Sequence, residues 1–285
     1  MSPSGRAEGM ARLRQAIARI EALNGRTEAR QAGERSPQRL ALTRALDRAL
    51  GGGLADDALH EIAPASPMDG TAAAGFALAL AARFLDRRPA SGLVIGEAFT
   101  SVEAGSLYGP GLIAHGLPLS RLVFVEAPDA NAAFWAMEEA LKCGAPGVVV
   151  GEIWSLKDYG LMTSRRLLLA ARKGRTPALL MLASAYGRAK SLSTAAETRF
   201  EIAAEPSARR KAAAGRDLPG PFACSARLVK ARLAFPRDGP FEAHDSARVF
   251  RLEWRSEDRA FDEKAISLPL AAASGDGPRA AARRG

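Results

Sequence analysis

Apolar and polar positions alternate along this chain in two distinct periods, and the changes between them mark out the elements. Between Leu50 and Leu85 a glycine triplet, Gly51-Gly52-Gly53, leads into the apolar run Ala58-Leu59-His60-Glu61-Ile62. An irregular stretch from Ala63 to Thr71 follows, and then Ala72 to Leu85, with Phe76, Leu80 and Phe84 on one helical face among small alanines. Strand, loop and helix are predicted in that order. Leu93-Val94-Ile95, Leu122 to Val125, Gly147 to Ile153 and Ala178 to Leu182 are continuous apolar runs, the pattern of strands covered on both faces. Helical segments over Val102 to His115, Ala130 to Lys142 and Tyr159 to Lys173 separate them. The alternation predicts an α/β fold: a mostly parallel sheet flanked by helices, with right-handed crossovers.

The ends of the chain read differently. Leu13, Ile17, Ile20 and Leu23 predict an amphipathic N-terminal helix that stops at Asn24-Gly25 and is followed by a polar linker to Ser36. A second short helix is expected between Pro37 and Leu50. After Ser184, Tyr186 to Ser191 reads as a basic loop, Glu197 to Ile202 as a strand with one polar face, and Pro206 to Pro221 as a mobile loop. Val229, Ala231, Leu233 and Phe235 alternate with Lys230, Arg232 and Ala234, and Phe250, Leu252 and Trp254 with Arg251, Glu253 and Arg255. Joined across Pro236 to Pro240, they predict a C-terminal antiparallel strand pair at one edge of the sheet. Three regions result: helix and linker over 1–36, an α/β domain over 37–267, and a tail over 268–285 expected to be disordered.

Composition narrows this picture. With 285 residues, 47% of them hydrophobic, the chain can bury one substantial core. No apolar run approaches the length needed to span a bilayer, and the N-terminus lacks a signal-peptide layout, so a cytoplasmic protein with no membrane contact is expected. Cys143 and Cys224 are too few and too far apart for a disulfide framework or a zinc cluster. His60, His115 and His244 stand alone, without ligand or triad spacing. A net charge of +9 permits contact with nucleic acid or an acidic partner, although a solvated arginine face accounts for it equally.

The loop before the alanine-rich helix is where phosphate-binding chemistry would sit. A working phosphate loop reads G-x-x-x-x-G-K-[ST], with backbone N–H groups and a lysine around the phosphates and a hydroxyl on magnesium. Here Pro64 takes the place of the first glycine, Asp69 that of the second, and Gly70 that of the lysine. Only Thr71 fits. Asp69 adds negative charge where polyphosphate would approach, and Pro64 and Pro67 lack N–H donors. Val150 is followed by Gly151 where a metal-binding carboxylate should close the strand; Glu152, one place later, is expected to point to the other face. Glu97, after the second strand, is offset in the same way. No catalytic residue, metal or cofactor is therefore expected.

The order of these pieces resembles the RecA-type recombinase core. More closely, the chain resembles the ImuA family, RecA-like and SulA-related subunits of the damage-inducible translesion mutasome. The strings that carry this are Leu59-His60-Glu61-Ile62, Gly75 to Ala79, Trp135 to Leu141, Val150-Gly151-Glu152-Ile153, Glu197-Thr198-Arg199-Phe200, and Leu268-Pro269-Leu270 with Ala271 to Asp276. The resemblance implies a non-catalytic adaptor of error-prone DNA synthesis in the SOS response. Its implied partners are an ImuB-like Y-family protein and an error-prone C-family polymerase, with RecA and single-stranded DNA as further contacts. Arg172, Lys173, Arg175, Arg188 and Lys190, around the fourth central strand, are the candidate DNA contacts. Leu13, Ile17 and Ile20, with Phe250, Leu252 and Trp254, are the candidate partner contacts; core packing is the plainer reading for at least two of the last three. A SulA-like inhibitor of cell division, or a RecA-fold ATPase with an unusual loop, are the alternatives.

Overall fold

A nine-stranded sheet forms the body of the structure, a computed structural model describing residues 37–207, 210–211, 217–218, 220–232 and 249–264. The expected N-terminal helix with Leu13, Ile17 and Ile20, the Pro236 to Pro240 connection, and the 268–285 tail lie outside the described residues, as does much of Pro206 to Pro221. Two short strands, β1 (Arg39–Leu40) and β2 (Leu54–Ala55), pair with each other. The central strands are β3 (Leu59–Pro64), β4 (Gly92–Glu97), β5 (Leu122–Ala127), β6 (Val148–Ile153), β7 (Ala178–Leu182) and β8 (Thr198–Ala204). A separate small pair follows, β9 (Arg210–Lys211) with β10 (Asp217–Leu218). The chain then returns to the main sheet as β11 (Ala223–Ala231), β12 (Val249–Arg255) and β13 (Ala260–Lys264). Strand order is β13-β12-β11-β8-β3-β7-β6-β4-β5. Strands β3 to β8 pair in parallel, and β8, β11, β12 and β13 in antiparallel fashion. The expected architecture, a mostly parallel sheet flanked by helices with antiparallel C-terminal strands, is the one observed.

The helices explain why the central strands are apolar throughout. Helix α1 (Arg44–Ala49) is short; α2 (Gly70–Arg87) lies on one face of the sheet. There Phe76, Leu80 and Leu85 join Ile62, Val148, Val150, Leu179 and Phe200 in one core. Buried alanines at 72, 73, 77, 79, 81 and 82 bring α2 close to the strands. By length and composition α2 with its leading turn, Pro67–Arg87, could cross a membrane (mean hydropathy 1.2 over an 18-residue window of it), against the expectation that no segment would. It is instead the packed core helix of this sheet. Two short helices follow, α3 (Ala98–Glu103) and α4 (Gly109–Ala114). Helices α5 (Ala130–Cys143) and α6 (Leu161–Gly174) cover the opposite face, where Met137, Leu141, Leu167 and Leu168 meet Leu59, Val149, Ile153 and Leu180. The C-terminal ends of α5 and α6 meet at glycines: a Cβ on Gly174 would stand 1.7 Å from the Leu141 carbonyl oxygen.

Several boundaries differ from expectation for local reasons. The helix expected between Pro37 and Leu50 is reduced to α1, N-capped by Thr43 Oγ1, which accepts from Leu46 N–H. The positive φ angles of Gly51, Gly52 and Gly53 turn the chain back so that Leu40 pairs with Leu54. The helix expected over Val102 to His115 is two helices, divided around Gly105 (φ 78°), with Pro110 in the first turn of α4. The C-terminal antiparallel region holds three strands beyond β8, and β13 forms its edge. A bulge between Leu228 and Lys230 shifts the register, so Leu228, not Val229, is buried.

Candidate functional site

The loop from β3 to α2 is tied together by the residue that spoils its phosphate motif. After Pro64, a 3-10 turn over Pro67–Asp69 starts behind Ser66. Asp69 Oδ2 accepts from the Ser66 amide at 3.0 Å and from Ser66 Oγ at 2.6 Å, while Oδ1 accepts from the Ala204 amide at 2.8 Å. Partial burial opposes ionisation, but the hydrogen bonds from Ser66 and Ala204 outweigh it and hold the carboxyl below the usual range. The Ser66 amide and hydroxyl and the Ala204 amide are thus engaged by a carboxylate of the chain itself. Gly70 has open space around it, and Thr71 is exposed. With no lysine here and an anion already seated, these residues do not fit a magnesium triphosphate.

The two glutamates weighed for metal and water chemistry occupy opposite faces. Glu97 is buried and its Oε1 accepts from the amides of Trp154 (2.6 Å) and Ser155 (3.0 Å), fixing the turn after β6. Glu152 falls on the face that carries Val148 and Val150, which is the face α2 covers; Gly151 faces Met137 of α5. Gly151 and Glu152 thus point to opposite faces, as alternation predicts, and it is Glu152 that shares the face of α2. Its surroundings separate it from the loop instead. Glu152 lines a cavity of about 290 Å³ over β4, β5 and β6, to which no residue of the β3–α2 loop contributes, and it accepts from the Trp154 indole at 3.3 Å.

Sequence reasoning missed a buried ionic cluster beside the loop. Glu61 on β3 and Arg199 on β8 are register partners in a parallel pair, with Arg199 Nε 2.5 Å from Glu61 Oε2. Tyr159 donates its hydroxyl to Glu61 Oε1. Burial, with the adjacent carboxylate, pushes the phenol well above its ordinary range, so it stays a donor. Arg199 also donates to the carbonyls of Ala189 and Leu192 and to Thr194 Oγ1. The polar face of this strand is therefore largely buried: Glu197 and Arg199 are at 6% and 2% exposure, and Glu201 is half-buried. A glutamate inside an apolar run and an arginine next to Phe200 were the available signals.

The five candidate DNA contacts are not brought together. Arg172 and Lys173 lie in the last turn of α6 and Arg175 just beyond, at the end of the sheet where β7 begins. Arg188 and Lys190 are exposed on the turn after β7. A five-residue parallel strand, roughly 16 Å long, separates the two groups. Arg172 also sits in the field of Asp57 and Glu197. Phe250, Leu252 and Trp254, offered as partner contacts, are core residues at 1–2% exposure. Trp254 packs on Phe261 at 4.8 Å and its indole donates to the His115 carbonyl at 3.0 Å, which settles them as packing.

No protein family matches the chain, and no curated protein does. Among solved structures it is similar to SulA from Pseudomonas aeruginosa, at 19% identity over 44% of this chain and 96% of that one, with a TM-score of 0.35. It is also similar to the RadB recombinase, at 15% identity over 78% of this chain and 97% of that one, with a TM-score of 0.47. The fold class itself rests on strand order and helix placement.

Proposed function

We propose that this chain is a non-catalytic RecA-like adaptor of the ImuA type, which works in damage-induced error-prone DNA synthesis by holding other proteins together in the cytoplasm. One observation carries the loss of nucleotide chemistry: the Asp69 carboxylate takes the amides of Ser66 and Ala204 inside the loop where a phosphate would be received. Phosphoryl transfer depends on positioning and charge stabilisation, and this loop offers no lysine for it and carries a carboxylate of its own. The mutasome assignment is supported by the sequence strings that resemble the ImuA family, and its partners would be an ImuB-like Y-family protein and an error-prone C-family polymerase. Contact with RecA or single-stranded DNA would be secondary.

The test is affinity capture of the full chain from DNA-damaged cells, with partners identified by mass spectrometry. Recovery of a Y-family-like protein and the polymerase is the expected outcome. Recovery of a filament-forming GTPase instead, with cell filamentation on expression, would assign a SulA-like role. Magnesium-dependent ATP hydrolysis by the purified chain that is lost in Thr71→Ala would overturn the non-catalytic reading.

A further inference from the structure

The cavity over the C-terminal ends of β4, β5 and β6 has a polarity unlike the rest of this basic chain. Its lining includes Glu97, Glu126 and Glu152 and no lysine, arginine or histidine. Gly96 pairs with Glu152 on one side and Glu126 on the other. The two carboxylates therefore leave the same face at the same height, with their backbones about 10 Å apart across a residue without a side chain. Glu126 receives Ser101 Oγ at 3.1 Å and Glu152 receives the Trp154 indole. The second oxygen of each has no donor among the described residues. Thr100 also lines the cavity, and its buried Oγ1 has no hydrogen-bond partner among the described residues. Burial also pushes the Glu152 carboxyl up, against the indole bond, as expected where no cation is near.

We propose that this cavity receives the guanidinium of an arginine presented by a partner protein. A planar fork with five donors can engage Glu152 and Glu126 together, which a point-like ammonium cannot. Val94, Leu107 and Phe124 supply apolar wall for the aliphatic stem. A free small molecule would leave the rim wet. Phe99, Val102 and Tyr108, next in sequence to the lining residues Thr100, Ser101 and Leu107, are exposed by 48%, 80% and 72%, and the outer edge of β5 has no strand partner among the described residues. Such a rim suits a polypeptide that brings apolar neighbours with its arginine. This inference does not rest on the adaptor reading; it concerns a surface away from the β3–α2 loop.

The test is titration of the isotope-labelled full chain with acetyl-Leu-Arg-Phe-amide, following the Trp154 indole N–H resonance, with the citrulline peptide and free arginine amide as comparisons. The arginine peptide should shift that resonance in a salt-sensitive manner. Glu152→Gln and Glu126→Gln should each weaken binding by about tenfold. Gly96→Ala keeps the fold, since its Cβ would meet only Thr100 at 3.8 Å, and should weaken binding by filling the notch floor. No shift at up to about 10 mM peptide, or equal shifts from the citrulline peptide, would overturn the proposal. Equal affinity for free arginine amide would replace the partner with a small molecule. Self-association lost in Glu126→Gln would replace it with a second copy of this chain.

Discussion

Arg199 and Glu61 form an ion pair across adjacent parallel strands at 2% and 0% side-chain exposure, and the same guanidinium holds three points of the segment after β7. Two buried charges are costly to desolvate, and the pair persists because every polar group in it has a partner. Replacing Arg199 with Met should destabilise the protein by about 3–5 kcal/mol in urea unfolding, because Glu61 is left buried and uncompensated. Glu61→Gln in the same background should recover part of that loss. Arg199→Met should also speed proteolytic cleavage between Ala185 and Thr194. An unchanged cleavage rate would separate the ion pair from that segment.

His60 carries a pH dependence. Its ring is fully buried between Thr198 Oγ1 and the Ala55 carbonyl, each at 2.8 Å, and burial lowers its pKa from 6.5 to about 4. Below pH 6.5 the unfolded chain binds a proton that the folded chain refuses. Stability is therefore complete above 6.5 and declines as pH falls towards 4, by about 3 kcal/mol in all. His60→Gln should flatten that slope in urea melts at pH 4.5 and 7, at some cost in stability at neutral pH.

Asp69 gives a second acid-side effect at lower pH. Its folded pKa lies below 3.8, so its contribution is present above that value and is lost as pH falls through the folded one. A carbon-13 carboxyl titration should place the Asp69 midpoint below that of ordinary aspartates. In Ser66→Ala the midpoint should move up, since the 2.6 Å hydroxyl donor is gone.

Backbone approach makes the α5–α6 end intolerant. Gly174→Ala would put a Cβ against the Leu141 carbonyl and 3.1 Å from the Gly144 Cα, all main chain, and should lower stability by about 2 kcal/mol or more. Gly151→Ala meets the Met137 thioether at 2.3 Å, a flexible group that can move, and should cost less. Thermal melts of the two variants should rank in that order.

The split basic residues predict how DNA contact would respond. Backbone binding is salt-dependent and sequence-blind. Because the two groups lie at opposite ends of β7, Arg188→Glu with Lys190→Glu should abolish weak single-strand binding only if that end carries it. Arg172, Lys173 and Arg175 should then be silent. Gel mobility at low salt distinguishes the two ends, and equal losses from both sets would contradict separate sites.

The sheet was legible because its central strands are so apolar that only a doubly covered layer accommodates them. Ala178 to Leu182 matches β7 residue for residue. The failed phosphate motif was equally visible, since Asp69 and Gly70 replace residues with distinct chemistry. What Asp69 does instead was hidden, because its second donor, Ala204, comes from a distant strand. The same holds for Glu61 and Arg199, whose pairing requires β3 and β8 to be neighbours. Around residue 105 local helical periodicity prevailed in the reading, while Gly105 and Pro110 prevailed in the fold. Trp254 alternates with charged residues as an interface residue would, but His115 and Phe261 pack against its ring, leaving the alternation to describe an inner layer.

The side-by-side placement of Glu61 and Arg199 also has a bearing on how the strands find each other. If β8 slid by one residue, Phe200 would stand beside Glu61, and Arg199 would enter the opposite layer among Phe76 and Phe250. Both charges would then be stranded on different sides of the sheet. The pair thus acts as a proofreader of alignment: it tolerates one pairing of these strands and penalises its nearest misfolded neighbours.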